Sequence, residues 1–477
     1  LDYRISGDLD IASGDTVYLL AGTKFLFDGQ YHFNIYGTLK AIGTETDSII
    51  FDNFEDNNER WEGFKLENVS DETEFRYVRI SGADKDSGGG MYLSVSNPLL
   101  AHVTISGNTA SVIAGAMMLS YSNPTLNFVT IIGNTGGLFG EGMRSSNSNP
   151  TFNHVTISGN TALGMYITGG SPILTNVTIS GNSKGGIYIS DYNLSGGIPI
   201  LTNVTISGNT AGHSQENGGG MIITNYGSPI LTNVTISGNT AGNNGGGMYI
   251  TNYGSPILTN VTISGNTAGN NGGGMYIGND INLTLTNSIV WDNSPESISF
   301  SETGHPSTIS IQYSDIEGGE EGIETNDNGE VYWLEGNIDA DPLFTDPLNG
   351  DFTLQEGSPC IDAGTADLDG DGVEDITDYY GLAPDMGAFE FVENIPSTIS
   401  VEYLEGWNLV GLPLEVEDAN YLTIFPDATE NTLYSFDDGY SLETSLIQGE
   451  GYWLRFENEG TSTINGTPIN ELTISLS

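Results

Sequence analysis

The chain is 477 residues long and carries 62 acidic against 11 basic side chains, a formal charge of −51. An excess of that size repels nucleic acid and anionic lipid, and no apolar run approaches the roughly 18–20 residues of a membrane span. A single cysteine, Cys360, excludes an internal disulfide and a cysteine-based zinc cluster, while 65 glycines among many Asn, Ser and Thr point to an all-β, turn-rich protein.

The charge is unevenly placed. Between Ser87 and Thr286 the only acids are Glu141, Asp191, Glu216 and Asp280, and the only bases are Arg144 and Lys184. Charged ends around a neutral middle divide the chain into four parts: 1–65, 66–320, 321–392 and 393–477. The chain starts at Leu1 rather than Met, which reads as a removed leader or a fragment. Residues 1–65 are irregular, aromatic and charged, as coils that cover an exposed hydrophobic end should be. They resemble the N-terminal coils of secreted bacterial β-helices. Leu1–Ile11 (LDYRISGDLDI) alternates like a strand through Leu1, Tyr3 and Ile5, and is expected to be spare for assembly.

From residue 66 the chain repeats itself. Val-Thr-Ile-Ser-Gly-Asn begins at Val103, Val155, Val177, Val204, Val234 and Val261, with variants at Val78 and Val129. Residues 225–251 recur as 252–278 with one change. Each period holds three β-like pieces: Pro-Ile-Leu-Thr, Asn-Val-Thr-Ile-Ser and Gly-Met-Tyr-Ile. Three strands per ~25 residues with no intervening helix predict one coil of a right-handed parallel β-helix, stacked on the next at about 4.8 Å. Val and Ile should form buried columns. Asn108, Asn134, Asn160, Asn182, Asn209, Asn239 and Asn266 should occupy a left-handed corner and bond to the next coil. His102 and His154 fall in the column of Asn176, Asn203 and Asn233 and read as corner substitutes. The Asn-Val-Thr triplets also match the glycosylation acceptor pattern, but at an expected inward corner, so as incidental matches. Ile-x-x-Asn followed by Gly-Gly-x-[Met/Ile] over about residues 66–300 resembles the repeats of the polymorphic outer-membrane protein family, with Ile in place of Phe. That resemblance implies cell-surface adhesion or scaffolding.

Residues 337–391 (GNIDADPLF…DMGAFEF) resemble the C-terminal capping segment of bacterial choice-of-anchor proteins. Within them, DLDGDGVEDITD reads as a calcium loop, with Asp367, Asp369 and Asp371 at positions 1, 3 and 5. The Val373 carbonyl then falls at 7, Asp375 at 9 and Asp378 at 12. The expected cofactor is a structural Ca²⁺, and the loop resembles dockerin-type loops. Residues 393–477, with GWNLVGLPL, YSFDDGY and GEGYWLRF, predict a small β-sandwich. It resembles a module appended to many secreted bacterial proteins. In that module a strand like residues 398–411 recurs, and here the chain ends where the recurrence would begin, so an open sheet edge is expected.

An enzyme is not expected from this reading. A lyase of this fold would need an Arg or Lys base, and residues 145–454 hold only Lys184. A hydrolase would need two carboxylates roughly 5–9.5 Å apart, and the acids of the coils do not align at one period. Outward ladders remain: Thr104, Thr130, Thr156, Thr178, Thr205, Thr235 and Thr262 in one, Tyr92, Tyr166, Tyr188, Tyr249 and Tyr276 in another. They read as ordinary β-propensity on a solvated face, or as sugar stacking, lateral packing of copies, or an ice-binding surface. The expected protein is a secreted or cell-surface scaffold or adhesin. Its partners are surface glycans or further copies joined end to end into a filament. The alternative is a carbohydrate-binding or polysaccharide-degrading β-helix.

Overall fold

The computed structural model describes residues 2–54, 59–137, 141–192, 194, 196–392, 397–436 and 439–469. The chain forms two compact units, Leu1–Phe391 and Val392–Ser477. The first is a parallel β-helix. Its strands collect into a twenty-stranded sheet and a twelve-stranded sheet, joined through short strands at the turns.

The repeat explains the coil. The first two of the three pieces merge into one eight-residue strand, such as Ile173–Ser180, Ile200–Ser207 and Ile230–Ser237. That strand bends at the asparagine before the valine, which is left-handed: φ is 54° at Asn176, Asn203 and Asn233. Successive coils pair in register, Val177 on Val204 and Ile179 on Ile206, so like residues stack on like. Leu174, Val177, Ile179, Ile187 and Ile189 and their equivalents point inward and are buried. Each such side chain removed from water contributes about 1.5–3 kcal/mol.

The ladder asparagines are buried and bonded as predicted, but they are not the left-handed residues. Positive φ falls on the glycine before each, Gly208 at 60° and Gly238 at 59° for example, where no Cβ is strained. This frees the amide to point inward. Asn182 Nδ2 donates to Asn209 Oδ1 at 2.9 Å, and Asn209 Nδ2 to Asn239 Oδ1 at 3.0 Å. The ladder runs from Asn108 through to Asn293. Of the Asn-Val-Thr asparagines, Asn176, Asn203 and Asn233 take the opposite orientation from the one expected. Asn203 donates to Asn176 and Asn233 to Asn203, at 3.2 Å each, on the outside of the corner.

Residues 358–391 run along the flank of the late coils. The Ala388 N–H donates to Thr262 Oγ1 at 2.9 Å, and Asn287 exchanges two 2.8 Å hydrogen bonds with the Thr365 backbone. Thr262 is buried beneath this segment and Thr235 is buried as well, so the threonine ladder is not one open face.

In the second unit, Ser397–Tyr403, Gly460–Pro468 and Leu414–Glu415 form one antiparallel sheet. Gly406–Val410, Tyr452–Phe456, Tyr434–Phe436 and Tyr440–Leu442 form the other. Tyr403 and Ile464 from one sheet, with Val410, Leu454 and Phe456 from the other, share its core.

Candidate functional site

The early coils hold an aromatic core that fixes a charged cleft above it. Trp61 is fully buried, stacked on Phe27 at 4.4 Å, with its indole N–H on the Ser81 carbonyl at 2.8 Å. Its own N–H donates to Asn53 Oδ1, and its carbonyl accepts from the Asp84 N–H at 2.8 Å. With the indole held inside, the flanking Arg60 and Glu62 reach the surface. The strand Asp84–Ser87 is anchored from the other side, because Asn108 at the start of the asparagine ladder accepts the Ala83 N–H at 3.0 Å.

These anchors define a cleft of about 550 Å³ lined by Arg60, Glu62, Asp84, Lys85, Asp86 and Ser111. Asp84–Ser87 pairs with Thr109–Ile113, and the register slips between Lys85 and Ser87. Such a slip re-aims side chains and recurs beside active sites. Asp86 is held by the Ser111 hydroxyl at 2.5 Å, and Arg60 Nη1 by Thr109 Oγ1 at 3.1 Å. Lys85 is half-buried. Burial holds its amine below the ordinary lysine value; Glu62 and Asp86 push it back up, and Lys65 pushes it further down. An amine shifted this way is unprotonated in a larger fraction at a given pH than a free lysine, and so is more often available as a base.

The tyrosines share one column but not an unbroken ladder. In register the column reads Lys65, Tyr92, Met118, Arg144, Tyr166, Tyr188, Ile222, Tyr249 and Tyr276. Tyr166 stacks on Tyr188 at 4.6 Å and Tyr249 on Tyr276 at 5.2 Å. The Arg144 guanidinium lies 4.4 Å over the Tyr166 ring and pairs with Glu141 at 3.0 Å. Glu141 is buried, which raises its carboxyl above the usual range while Arg144 opposes the shift. Burial likewise raises the Tyr166, Tyr188 and Tyr249 hydroxyls. A second ring column is formed by corner residues. Tyr77, His102, Phe128 and His154 stack at 4.5–4.9 Å.

Of the expected calcium ligands, Asp367, Asp369 and Asp375 come together, each offering an oxygen within 4.8 Å of the others. Asp367 also accepts the Gly370 and Gly372 N–H groups at 2.7 Å. Asp371 instead accepts the Val373 N–H at 2.8 Å. Asp378 lies outside this carboxylate group. The three gathered carboxylates are hard donors that fit a calcium ion.

The expected assembly strand is not spare. Asp2–Ile5 pairs in parallel with Lys24–Phe27, and Tyr3 stacks on Phe25 at 5.7 Å; Leu1 lies outside the described residues. Its alternation is that of a first rung, paired along one edge within the chain.

A family model described as the right-handed β-helix region matches residues 41–195 and 193–338, more than half of the chain. The chain belongs to that family. Among solved structures, the crystal structure of a pectate lyase is similar over 78% of this chain and 88% of its own, at 13% identity and a TM-score of 0.37. No curated protein matches. The expectation that the chain is not an enzyme is overturned. The cation count behind the exclusion covered only residues 145–454 and passed over the cations of the early coils, Arg60, Lys65 and Lys85 among them. At that overlap the lyase lends this chain neither a residue nor a reaction. No helix among the described residues is long and apolar enough to cross a membrane.

Proposed function

We propose that this protein degrades an acidic polysaccharide at the cleft between Trp61 and Ser111, with Lys85 as the base. The observation that carries the reading is the joint presence of a half-buried lysine, an arginine and three carboxylates in one open cleft on a rigid floor. Arg60 keeps guanidinium N–H groups beyond its bond to Thr109 and receives the carboxylate of a uronic acid. Lys85 takes the proton from the carbon next to that carboxylate. The electron pair left behind forms a carbon–carbon double bond, and the bond to the bridging oxygen breaks. That oxygen leaves with its electrons and is protonated by water, and the lysine ammonium later returns its proton to solvent. Glu62, Asp84 and Asp86 accept hydrogen bonds from sugar hydroxyls. Lys65 and Tyr92 stand on the adjoining strands, where a tyrosine ring can stack on a sugar of the same chain.

A structural Ca²⁺ at Asp367, Asp369 and Asp375 belongs to the same reading. Secretion or display at a cell surface agrees with the likeness of the repeats to polymorphic outer-membrane proteins and of residues 337–391 to choice-of-anchor segments. The test is a digestion of polyuronate and of neutral polysaccharide, followed by the ultraviolet absorbance of unsaturated sugar ends. Cleavage confined to polyuronate and lost in Lys85→Met supports the proposal. Equal activity in Lys85→Met, or no cleavage of any acidic polysaccharide, overturns it.

A further inference from the structure

The second unit carries an aromatic face that the cleft at Lys85 does not explain. In Tyr452–Phe456 the residues Tyr452, Leu454 and Phe456 face the core, which turns Trp453 and Arg455 outward. Register then sets Arg455 beside Trp407, Trp453 beside Tyr434, and Tyr440 beside Phe436 on the same outer surface. Trp407 is 52% exposed, Phe436 65% and Tyr440 67%. An exposed aromatic cluster of this kind marks a binding surface.

The rings do not form a flat apolar floor. Trp407 and Tyr434 are tilted by 54°, Tyr434 and Tyr440 by 84°, and Phe436 and Tyr440 by 65°. Between Trp407, Tyr434, Tyr440 and Trp453 they leave a cleft of about 520 Å³, within the range of small-ligand sites. Upright rings around a cleft suit a slim ligand with an apolar face, such as a sugar, better than the broad face of a second protein. Arg455 sharpens the choice. It is the only basic residue in 392–477, against fifteen acidic ones, and it stands on this face beside Trp407. Among the described residues it makes no ion pair. One free guanidinium among so many acids attracts a single carboxylate, whereas a long polyanion is repelled by the rest of the unit.

We infer that this face is a second carbohydrate-binding site, taking a glycan that carries an isolated acidic sugar. The sugar ring packs between Trp407 and Trp453, and its carboxylate pairs with Arg455. The inference stands on this face alone and does not depend on catalysis at Lys85.

The experiment uses the full chain carrying Lys85→Met, titrated by calorimetry with a xylo-oligosaccharide bearing one glucuronic acid and with its unsubstituted counterpart. The substituted sugar is expected to bind more tightly. Arg455→Gln should abolish that preference, and Trp453→Ala should weaken both sugars by about tenfold or more, the scale of losing one anchoring side chain. Both positions are exposed, and an unchanged circular dichroism spectrum verifies folding. Equal binding of the two sugars by the parent chain, or unaltered binding in Trp453→Ala, overturns the assignment. A dimer that Trp453→Ala dissociates, with no sugar bound, also overturns it and assigns the face to a second copy.

Discussion

Replacing Asn209 by leucine tests what holds successive coils together. The side chain is fully buried and nearly isosteric with leucine, so packing changes little and the polar loss dominates. Its Nδ2 donates to the Ile179 carbonyl at 2.9 Å and to Asn239 Oδ1 at 3.0 Å. Its Oδ1 accepts the backbone N–H of Asn182 at 3.0 Å and its Nδ2 at 2.9 Å. Four hydrogen bonds disappear, each contributing about 1–1.5 kcal/mol net, while Asn239 Oδ1 and Asn182 Nδ2 keep other partners in the Asn209 N–H and the Ile157 carbonyl. The expected loss is therefore about 4–6 kcal/mol, a large share of the ~5–15 kcal/mol that holds a typical protein folded. Urea unfolding followed by circular dichroism should show the midpoint falling by more than about 1 M. Asn203→Gly is the control, because it keeps the left-handed backbone and loses only exposed 3.2 Å contacts. It should cost less than about 0.5 kcal/mol. Equal shifts in the two variants, or a loss below about 1 kcal/mol at Asn209, would refute the view that the buried amides clamp the coils.

Further outcomes follow from other contacts. Burial raises the Asp315 carboxyl to about 6 from 3.8, opposed by the Ala340 N–H and the Cys360 thiol and assisted by Asp339 and Asp341. A raised value means that stability is fully present below about pH 3.8 and lost as the pH rises through about 6. The stability difference between the parent and Asp315→Asn should therefore change by about 3 kcal/mol in favour of Asn from acid to neutral pH; a constant difference would contradict this. Gly246→Ala would set a Cβ 2.5 Å from the Gly273 carbonyl oxygen and against Thr267 backbone, and should lower stability by about 1–3 kcal/mol. Gly212→Ala, which meets nothing closer than Thr210 Cγ2 at 3.3 Å, should be neutral in the same thermal melt. Calcium at about a hundred times its Kd should stabilise the protein by about 2.7 kcal/mol, and Asp367→Asn should remove that gain; an equal gain in the variant would exclude the loop as the site.

The coils were legible because each period repeats the same inward and outward alternation, so Leu174, Val177 and Ile179 announce their columns without knowledge of the loops. The buried asparagine ladder was legible for the same reason. Its backbone geometry was not, since Gly-Asn can place positive φ on either residue and only the glycine does so without strain. The charged cleft was harder to see. Arg60, Glu62, Lys85 and Ser111 lie 49 to 51 positions apart at their extremes, in the least regular coils, and meet only through the rung register and the buried Trp61. Counting cations on the regular coils alone passed over them. The fold-back of residues 358–391 onto Thr262 carried no periodic signal, because irregular segments find their partners through single hydrogen bonds. The outer face of the second unit was half legible: Trp453 alternates with Tyr452 and Leu454, but its pairing with Tyr434 needed the sheet order.

The central claim is most directly tested by a crystal structure of the Lys85→Met chain soaked with an oligouronate. Sugar density is expected in the cleft between Arg60 and Ser111, with a uronate carboxylate on the Arg60 guanidinium and the adjacent ring carbon facing the residue 85 side chain. An empty cleft, with the oligouronate bound only elsewhere on the protein, would contradict it.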